Sequence, residues 1–379
     1  MTSWEQARST AWHAATPLPA VDLALADALG HALAGELWAL APVPAFDTSA
    51  MDGWAVRGPG PWRVAGMTLA GDPPAAPLAD GQAREVATGA ALPAACDGVV
   101  PWERGVVLDD ELTAEAPAGR HVRRAGEECA PRTAVLPAGA QLTPVALGLA
   151  AAVGCDLVRV HPLPRVAALV TGDELLGSGL PGNGRIRDAV GPLLPGAVAA
   201  YGGRLLDLRR VADGRAQLRA AVECAEADLL LTSGASSVGR ADHLAGVLAE
   251  LGAQVLVDGV DVRPGHPQTL ARLPDGRLLA GLPGNPLAAL SALVTVVAPV
   301  LARLGGRPLP ELGSATLTDA VGGARGATRL VPVRLSGGLA RPTGHGGAAM
   351  LRGAAVAHAL AVVDGDRAAG DRVRVAPLP

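Results

Sequence analysis

Four short segments of this 379-residue chain place acids or backbone N–H groups on turns shaped by Gly or Pro. They are Pro44-Ala45-Phe46-Asp47-Thr48-Ser49-Ala50-Met51-Asp52-Gly53, Thr171-Gly172-Asp173-Glu174, Thr232-Ser233-Gly234-Ala235-Ser236-Ser237-Val238-Gly239-Arg240-Ala241-Asp242 and Gly281-Leu282-Pro283-Gly284-Asn285-Pro286. Each alone could be an ordinary loop. Their shared chemistry points to a site that holds oxyanions together with a hard cation. In the third segment, small residues let backbone N–H groups converge on a phosphate, and the hydroxyls of Thr232, Ser233, Ser236 and Ser237 add donors. It is not a Walker loop, having neither the spacing nor a Lys. Asp228 and Asp242 flank it, as carboxylates do where Mg²⁺ accompanies a phosphate, with a helix cap the alternative for Asp242. Adjacent Asp173 and Glu174 repel unless a cation or donors offset them, or else they are the first-turn acids of a helix. Pro283, Gly284, Asn285 and Pro286 form a rigid shelf. Arg263-Pro264-Gly265-His266-Pro267 offers Arg263 and His266 to an anion, with a solvated turn the plainer reading of His266.

The elements that position these residues follow from the hydrophobic pattern. Residues 165–170 are almost wholly apolar and end in a polar turn, the pattern of a buried parallel strand, so Asp173 and Glu174 sit at the carboxyl edge of an α/β sheet, where ligands bind. Helical segments at about 190–202, 214–226 and 241–251 alternate with runs at 204–209, 228–232 and 277–282, the rhythm of βαβ units. Residues 3–40 read as helical, with Val21, Leu25, Leu29 and Leu33 on the apolar face, until Pro42 and Pro44 end the pattern. Between Asp52 and Pro144, short alternating runs at 62–66 and 98–100 predict a small β-rich domain, followed by a helix over 144–152. Beyond Gly305, strands are expected at 330–335, 357–363 and 371–375. The apolar stretch 287–304, interrupted by Ser291, Thr295, Pro299 and Arg303, reads as a buried helix rather than a membrane span. Asp47, Asp52, Thr88 and Glu127-Glu128 fall in a different domain from the α/β acids. To join them, the chain must fold back or a second subunit must supply them.

Composition limits the partners. Hydrophobic residues make up 49% and charged residues 18%, which fits folded domains and opposes extended disorder. The length predicts two to four domains. Lys is absent and Asn occurs only at 183 and 285, so all permanent positive charge is Arg, and phosphate contacts would be planar and bidentate. The net charge of −4 without a basic run opposes nucleic acid as a partner. Cys96, Cys129, Cys155 and Cys224 lack C-x-x-C spacing, so a zinc site or disulfide framework is not expected; buried thiols in a reducing cytoplasm are. The first twenty residues contain no basic segment followed by an apolar core, which opposes a signal peptide.

Taken in order, the segments resemble the molybdopterin molybdenumtransferase family, which includes bacterial MoeA proteins and the gephyrin E domain. Ser49-Ala50-Met51-Asp52-Gly53 and Gly281-Leu282-Pro283-Gly284-Asn285-Pro286 carry the resemblance most specifically, and it extends over essentially the whole chain. It implies an α/β multidomain fold with a central α/β molybdopterin-binding domain at 162–305. It further implies an inserted β-rich domain at 48–141, an N-terminal helical linker domain from 1–47 plus 142–161, and a C-terminal β-barrel-like domain at 306–379. The implied activity, that of a transferase, inserts molybdate into adenylylated molybdopterin (molybdopterin-AMP) with release of AMP and help from Mg²⁺, in an L-shaped cytoplasmic homodimer whose site is shared between subunits. Molybdopterin adenylyltransferase and molybdoenzymes are the implied partners, with no membrane involved.

By match to the family's motifs, Asp52, Glu174, Asp228 and Asp242 would be catalytic, and Glu174, Asp228, Asp242 and Glu128 would lie near the metal. Thr88, Asp173, Ser233, Gly234, Ser236, Ser237, Gly239, Arg263, His266, Pro283, Gly284, Asn285 and Pro286 would contact the cofactor substrate. Asp52, Thr88 and Glu128 would reach in from the second subunit. Several loops depart from the family pattern. Gly-Gly-Val-Ser-Val-Gly is here Gly234-Ala235-Ser236-Ser237-Val238-Gly239, and Lys-Pro-Gly-Lys-Pro is Arg263-Pro264-Gly265-His266-Pro267. Tyr-Asp-(Ser/Thr)-Asn is Arg187-Asp188-Ala189-Val190, Asp is usual where Glu128 stands, and Gly344-His345-Gly346-Gly347-Ala348 lacks the common Ser. A paralogue with weakened catalysis or another nucleotide-linked pterin ligand, and a non-catalytic dimeric scaffold, are the alternatives. An adenylyltransferase related to the α/β domain is disfavoured, because that reaction has no need of Asp52 and its β domain.

Overall fold

The computed structural model describes residues 2–117, 119–234 and 243–379. At its centre lies a six-stranded sheet in the order Arg204–Val211, Arg165–Thr171, Leu229–Ser233, Leu278–Leu282, Thr269–Arg272, Gln254–Asp258. The first four strands are parallel, Thr269–Arg272 runs antiparallel to them, and Gln254–Asp258 pairs antiparallel with Thr269–Arg272. The Arg165, Leu229 and Leu278 strands are covered on both faces, which explains their unbroken apolar runs. Helices Arg215–Cys224 and Leu244–Glu250 contribute to a core on one face with Ala167, Leu169, Leu230 and Leu279. The other face packs Leu194–Ala200 and a long helical run, Pro286–Leu304, against Val166, Leu229 and Leu278. Among the described residues only this run is long and apolar enough to cross a membrane, and 94% of its most apolar window is buried inside the fold, as a core helix should be.

Pro299 lies inside that run and cannot donate a backbone hydrogen bond. The five residues before its final segment, Leu293–Val297, widen into a π-helical turn, which takes up the missing bond. Thr295 donates its hydroxyl to the Ser291 carbonyl at 2.7 Å and accepts the indole N–H of Trp4 at 2.9 Å, so the N-terminal helix Trp4–Ala14 docks against this turn. That helix is shorter than the expected 3–40. Pro17 and Pro19 follow its end at Ala14, and Val21–Ala24 and Ala32–Leu33 instead flank Leu157–His161 in a three-stranded sheet. Leu33 is buried there as a strand residue, with Leu142, Ala150 and Val158.

The β-rich domain is a six-stranded sheet, Val106–Leu108, Glu111–Thr113, Trp62–Thr68, Gln82–Val86, Gly53–Val56, Gly98–Pro101, whose core surrounds the fully buried Trp62. At the C-terminus, five strands close on themselves: Thr328–Ser336, Leu339–Pro342, Gly313–Leu317, Arg372–Pro377 and Ala359–Asp364, the last pairing back onto the first. Closure removes the exposed edges that short strands would otherwise present. Val260–Arg263 leaves the central domain to pair in parallel with the start of the Thr328 strand, and Thr2–Ser3 pairs on its other side. That strand, unpredicted from sequence, ties three parts of the chain together.

Candidate functional site

The chain passes from the Arg165 strand to its neighbour Arg204–Val211, then crosses to Leu229–Ser233 on the other side. The carboxyl ends of the Arg165 and Leu229 strands therefore form a topological switch point, the place where an open α/β sheet leaves a crevice. Thr171 and Gly172 sit on one lip, Ser233 and Gly234 on the other, joined by the Thr171 hydroxyl donating to the Ser233 carbonyl at 3.1 Å. Gly234 has φ +100°, and a Cβ there would lie 2.3 Å from the Thr171 carbonyl oxygen. No other residue type fits that backbone without displacing the strand. The Pro283-Gly284 turn adjoins it, since a Cβ on Gly284 would stand 3.5 Å from the Gly234 Cα.

Three acids stand at the same edge. The Asp173 N–H donates to Asp213 Oδ2 at 3.0 Å, and the Asp213 N–H donates to Asp173 Oδ1 at 3.2 Å. Glu174 folds back over Gly172, where a Cβ would meet its Oε2 at 2.8 Å. None of the three forms an ion pair among the described residues. Asp213 escaped the sequence reading. Its signal was positional: it follows the end of the Arg204 strand and precedes helix Arg215–Cys224, as Asp173 follows its own strand. No cage of three or more His, Cys, Asp or Glu residues forms among the described residues. Mg²⁺ seldom needs one, because it takes one or two carboxylates together with substrate phosphates and water. The reciprocal Asp173–Asp213 pair with Glu174 nearby could serve as such a partial donor set.

Asp228 does not belong to this edge. It precedes the first residue of the Leu229 strand, so it lies at the amino edge, about 16 to 20 Å away at the usual rise of a strand. There its carboxylate accepts the Arg165 N–H at 2.8 Å and the guanidinium of Arg165 at 3.0 Å. This pairing raises the Arg165 guanidinium above its usual range, chiefly through the hydrogen bond to Asp228. Asp228 is thus a strand-start clasp, and its expected catalytic and metal roles are withdrawn. Ser233 is likewise corrected as an open donor: the strand extends through it and leaves only 3% of it exposed, so Gly234 is the first open residue of the loop. Ser236, Ser237, Gly239 and Asp242 lie outside the described residues. Asp188, in the segment that departs from the family pattern, turns inward. It accepts the N–H groups of Val190 and Gly191 and pairs with Arg210 at 3.1 Å, while Val190 is buried.

Beside the switch point opens a cleft of about 370 Å³ lined by Arg263, His266, Pro283, Asn285, Arg329 and Gly346 among others. Arg263 and Arg329 are register partners on adjacent parallel strands. Neither has an ion pair among the described residues; Arg329 donates to the Gly322 carbonyl at 2.6 Å. Like charges so placed repel unless an anion lies between them. Pro286 begins the long helix, and Asn285 occupies its N-cap position without making a side-chain cap, which leaves the amide to the cleft. The Leu287 N–H donates to the Ala348 carbonyl at 2.9 Å, so the Gly344–Ala348 turn of the barrel domain docks on this helix start. His266 is tied through Nδ1 to the Val260 carbonyl at 2.8 Å, and its ring lies beside Gly259. Gly265, at φ +103°, leaves no room for a Cβ, which would lie 2.9 Å from the Ala288 carbonyl oxygen.

The remaining candidates stand together on the β-rich domain. The Thr88 N–H donates to Asp52 Oδ1 at 2.7 Å, and both residues are exposed. Asp47 holds the loop below them through the Ala125 N–H at 2.8 Å and the Arg124 guanidinium at 2.6 Å. These contacts, the backbone N–H first, lower its carboxyl pKa. Glu128 is exposed and anchored by its N–H to the Val43 carbonyl. Among the described residues, the hydrogen-bond partners of Asp47, Asp52, Thr88 and Glu128 all lie between Val43 and Ala125. Nothing there links them to the acids of the central sheet.

Three family profiles match successive parts of the chain: the MoeA N-terminal region (domain I and II) over residues 2–154, the probable molybdopterin binding domain over 167–303, and the MoeA C-terminal region (domain IV) over 314–378. A molybdopterin molybdenumtransferase of Haemophilus influenzae is 36% identical over 277 residues, spanning 70% of this chain and 68% of that one. Molybdopterin molybdenumtransferase 2 of Mycobacterium tuberculosis is 33% identical over 328 residues, 81% of each chain. The crystal structure of a molybdopterin biosynthesis MoeA protein from Pyrococcus horikosii superposes with a TM-score of 0.80 at 27% identity, covering 100% of this chain and 99% of that one. With three domain profiles in order, relatives matched over most of their length and the same architecture throughout, this chain belongs to the MoeA family of molybdopterin molybdenumtransferases.

Proposed function

We propose that this protein is a transferase of molybdenum cofactor biosynthesis that inserts molybdate into adenylylated molybdopterin and releases AMP. The observation that carries this reading is the adjacency of a glycine-lined crevice and an arginine-lined cleft along one sheet edge, which we read as two anion receptors. Gly234 and Gly284 meet backbone to backbone, with the acids Asp173, Glu174 and Asp213 on one side and the Arg263–Arg329 cleft on the other. A reaction that joins an oxyanion to a substrate containing a pyrophosphate link needs both receptors at once.

Arg263 and Arg329 would hold molybdate through guanidinium N–H donors, with Asn285 and the start of the long helix completing the cradle. Gly234, which has no side chain, would let the pyrophosphate lie against its backbone. Asp173 and Asp213, with Glu174, would hold Mg²⁺, which offsets phosphate charge as AMP leaves. Held in this way, the pterin dithiol would reach molybdate and displace oxygen that leaves as water, taking up the thiol protons, while a second water would cleave the phosphoanhydride and release AMP. Asp52, Thr88 and Glu128 would come from a second copy of the chain, because their contacts stay within their own domain. A homodimer with shared sites follows, supplied by a molybdopterin adenylyltransferase and serving molybdoenzymes.

The test is calorimetric titration with adenylylated molybdopterin, with and without Mg²⁺ and molybdate, followed by assay of AMP. Binding with molybdate-dependent release supports the reading. Binding without release would indicate a catalytically weakened member, and no binding would mean that the altered loops accept another ligand.

A further inference from the structure

A second charged cavity lies at the opposite, amino edge of the central sheet. It measures about 310 Å³ and lies between the N-terminal helix, the end of helix Leu194–Ala200, the long helix and the C-terminal segment. Tyr201 lies three residues before the Arg204 strand, so roughly 25 Å of strand separates the cavity from the switch point. Arg8, Tyr201 and Arg307 line it, with Val294, Ala298 and Leu312 forming apolar wall.

The polar groups there are incompletely used. Arg8 is only 4% exposed, stacks 5.0 Å from the Trp4 ring centroid and donates one N–H to the Pro310 carbonyl at 2.6 Å. Its buried Nε has no partner, and neither does the buried hydroxyl of Tyr201. Arg307 donates to the Tyr201 carbonyl. Neither guanidinium has an ion pair among the described residues. Glu5, the acid nearest Arg8 in sequence, pairs with Arg374, and Glu311 on the cavity rim is exposed. Burial lowers the pKa of both arginines and raises that of the Tyr201 phenol, which keeps the phenol a neutral donor. Two largely buried guanidiniums line one cavity whose acids engage neither directly, Glu5 being paired with Arg374 and Glu311 exposed at the rim, and an anion between them would offset the cost of their burial.

We propose that this cavity binds a small molecule with an oxyanion head, held by Arg8, Arg307 and the Tyr201 hydroxyl, and an apolar body lying against Val294, Ala298 and Leu312. The site is distinct from the molybdate cleft and does not depend on the assignment of the reaction. A phosphate and a carboxylate share the required head, so both are used as probes.

The test is calorimetry with phenyl phosphate, benzoate and inorganic phosphate on a full-length Arg263→Gln/Arg329→Gln variant, in which the other anion cleft is disabled. Phenyl phosphate or benzoate should bind, and phenyl phosphate more tightly than inorganic phosphate. Tyr201→Phe, which removes only a hydroxyl, should weaken binding on the order of tenfold, and Arg8→Met should abolish it. Should Arg8→Met fail to fold, Tyr201→Phe decides alone. Binding that disappears in the Arg263→Gln/Arg329→Gln variant, or that ignores Tyr201→Phe, would overturn the proposal. Equal affinity for phenyl phosphate and inorganic phosphate would overturn the apolar body. AMP release by Tyr201→Phe without any probe reports separately on the transferase.

Discussion

Two aspartates with similar sequence credentials have opposite places in the fold. Asp213 faces the switch point, and Asp213→Asn should lower molybdate-dependent AMP release on the order of 10- to 100-fold while the melting temperature hardly moves. Asp228 clasps Arg165 at the far edge, so Asp228→Asn should cost about 1 kcal/mol in urea denaturation and leave turnover unchanged. The reverse pattern would restore Asp228 to the site. Arg263 and Arg329 give a second prediction of opposed signs. Arg263→Gln should relieve like-charge repulsion and slightly stabilise the ligand-free protein, yet raise the molybdate concentration for half-maximal AMP release about tenfold or more. A loss of stability with unchanged molybdate dependence would make the pair structural. The sequence carried the information that separates Asp213 from Asp228. In a βα unit the residue before a strand lies at the wrong edge, and the residue after it at the right one.

Burial on both sides made several elements plain in the sequence. The Arg165, Leu229 and Leu278 strands and the long helix are of this kind. The edge strand Gln254–Asp258 buries only Val257 fully, and its neighbour Thr269–Arg272 has four residues, so neither announces itself by pattern. Nor does a 3.6-residue stripe reveal a π-turn. That turn can be probed through Thr295→Val, which strands the buried Trp4 indole N–H and should cost about 1 to 3 kcal/mol by urea denaturation. A much smaller loss would mean that the N-terminal helix docks through its apolar face alone. The loop beneath Asp52 adds a pH dependence. The Ala125 N–H and then Arg124 depress the pKa of Asp47, so its stabilising contribution is complete above the unfolded Asp value of about 3.9 and is lost as pH falls below it. Asp47→Asn should therefore flatten that part of the acid stability profile, whereas an unaltered profile would show the loop to be held by other contacts.

At the scale of the molecule, the multidomain architecture is the most legible feature and the proposed sharing of a site between subunits the least, because no residue type encodes which copy its partner belongs to. Mixing variants resolves it. Asp52→Asn and Asp213→Asn chains are each expected to be inactive, but heterodimers formed by random assortment carry one intact site, so co-expression should recover about a quarter of wild-type AMP release. No recovery would place both residues in one site of one chain. The strand Val260–Arg263 has a related consequence. It carries Arg263 out to the barrel domain, where register pairing sets it beside Arg329, and the turn ending at Ala348 closes on the helix start below. The cleft consequently exists only while the barrel is docked. An anion bound there grips the joint itself, so occupancy and docking are thermodynamically linked: rising oxyanion concentration favours the docked state, and loss of the anion weakens the joint.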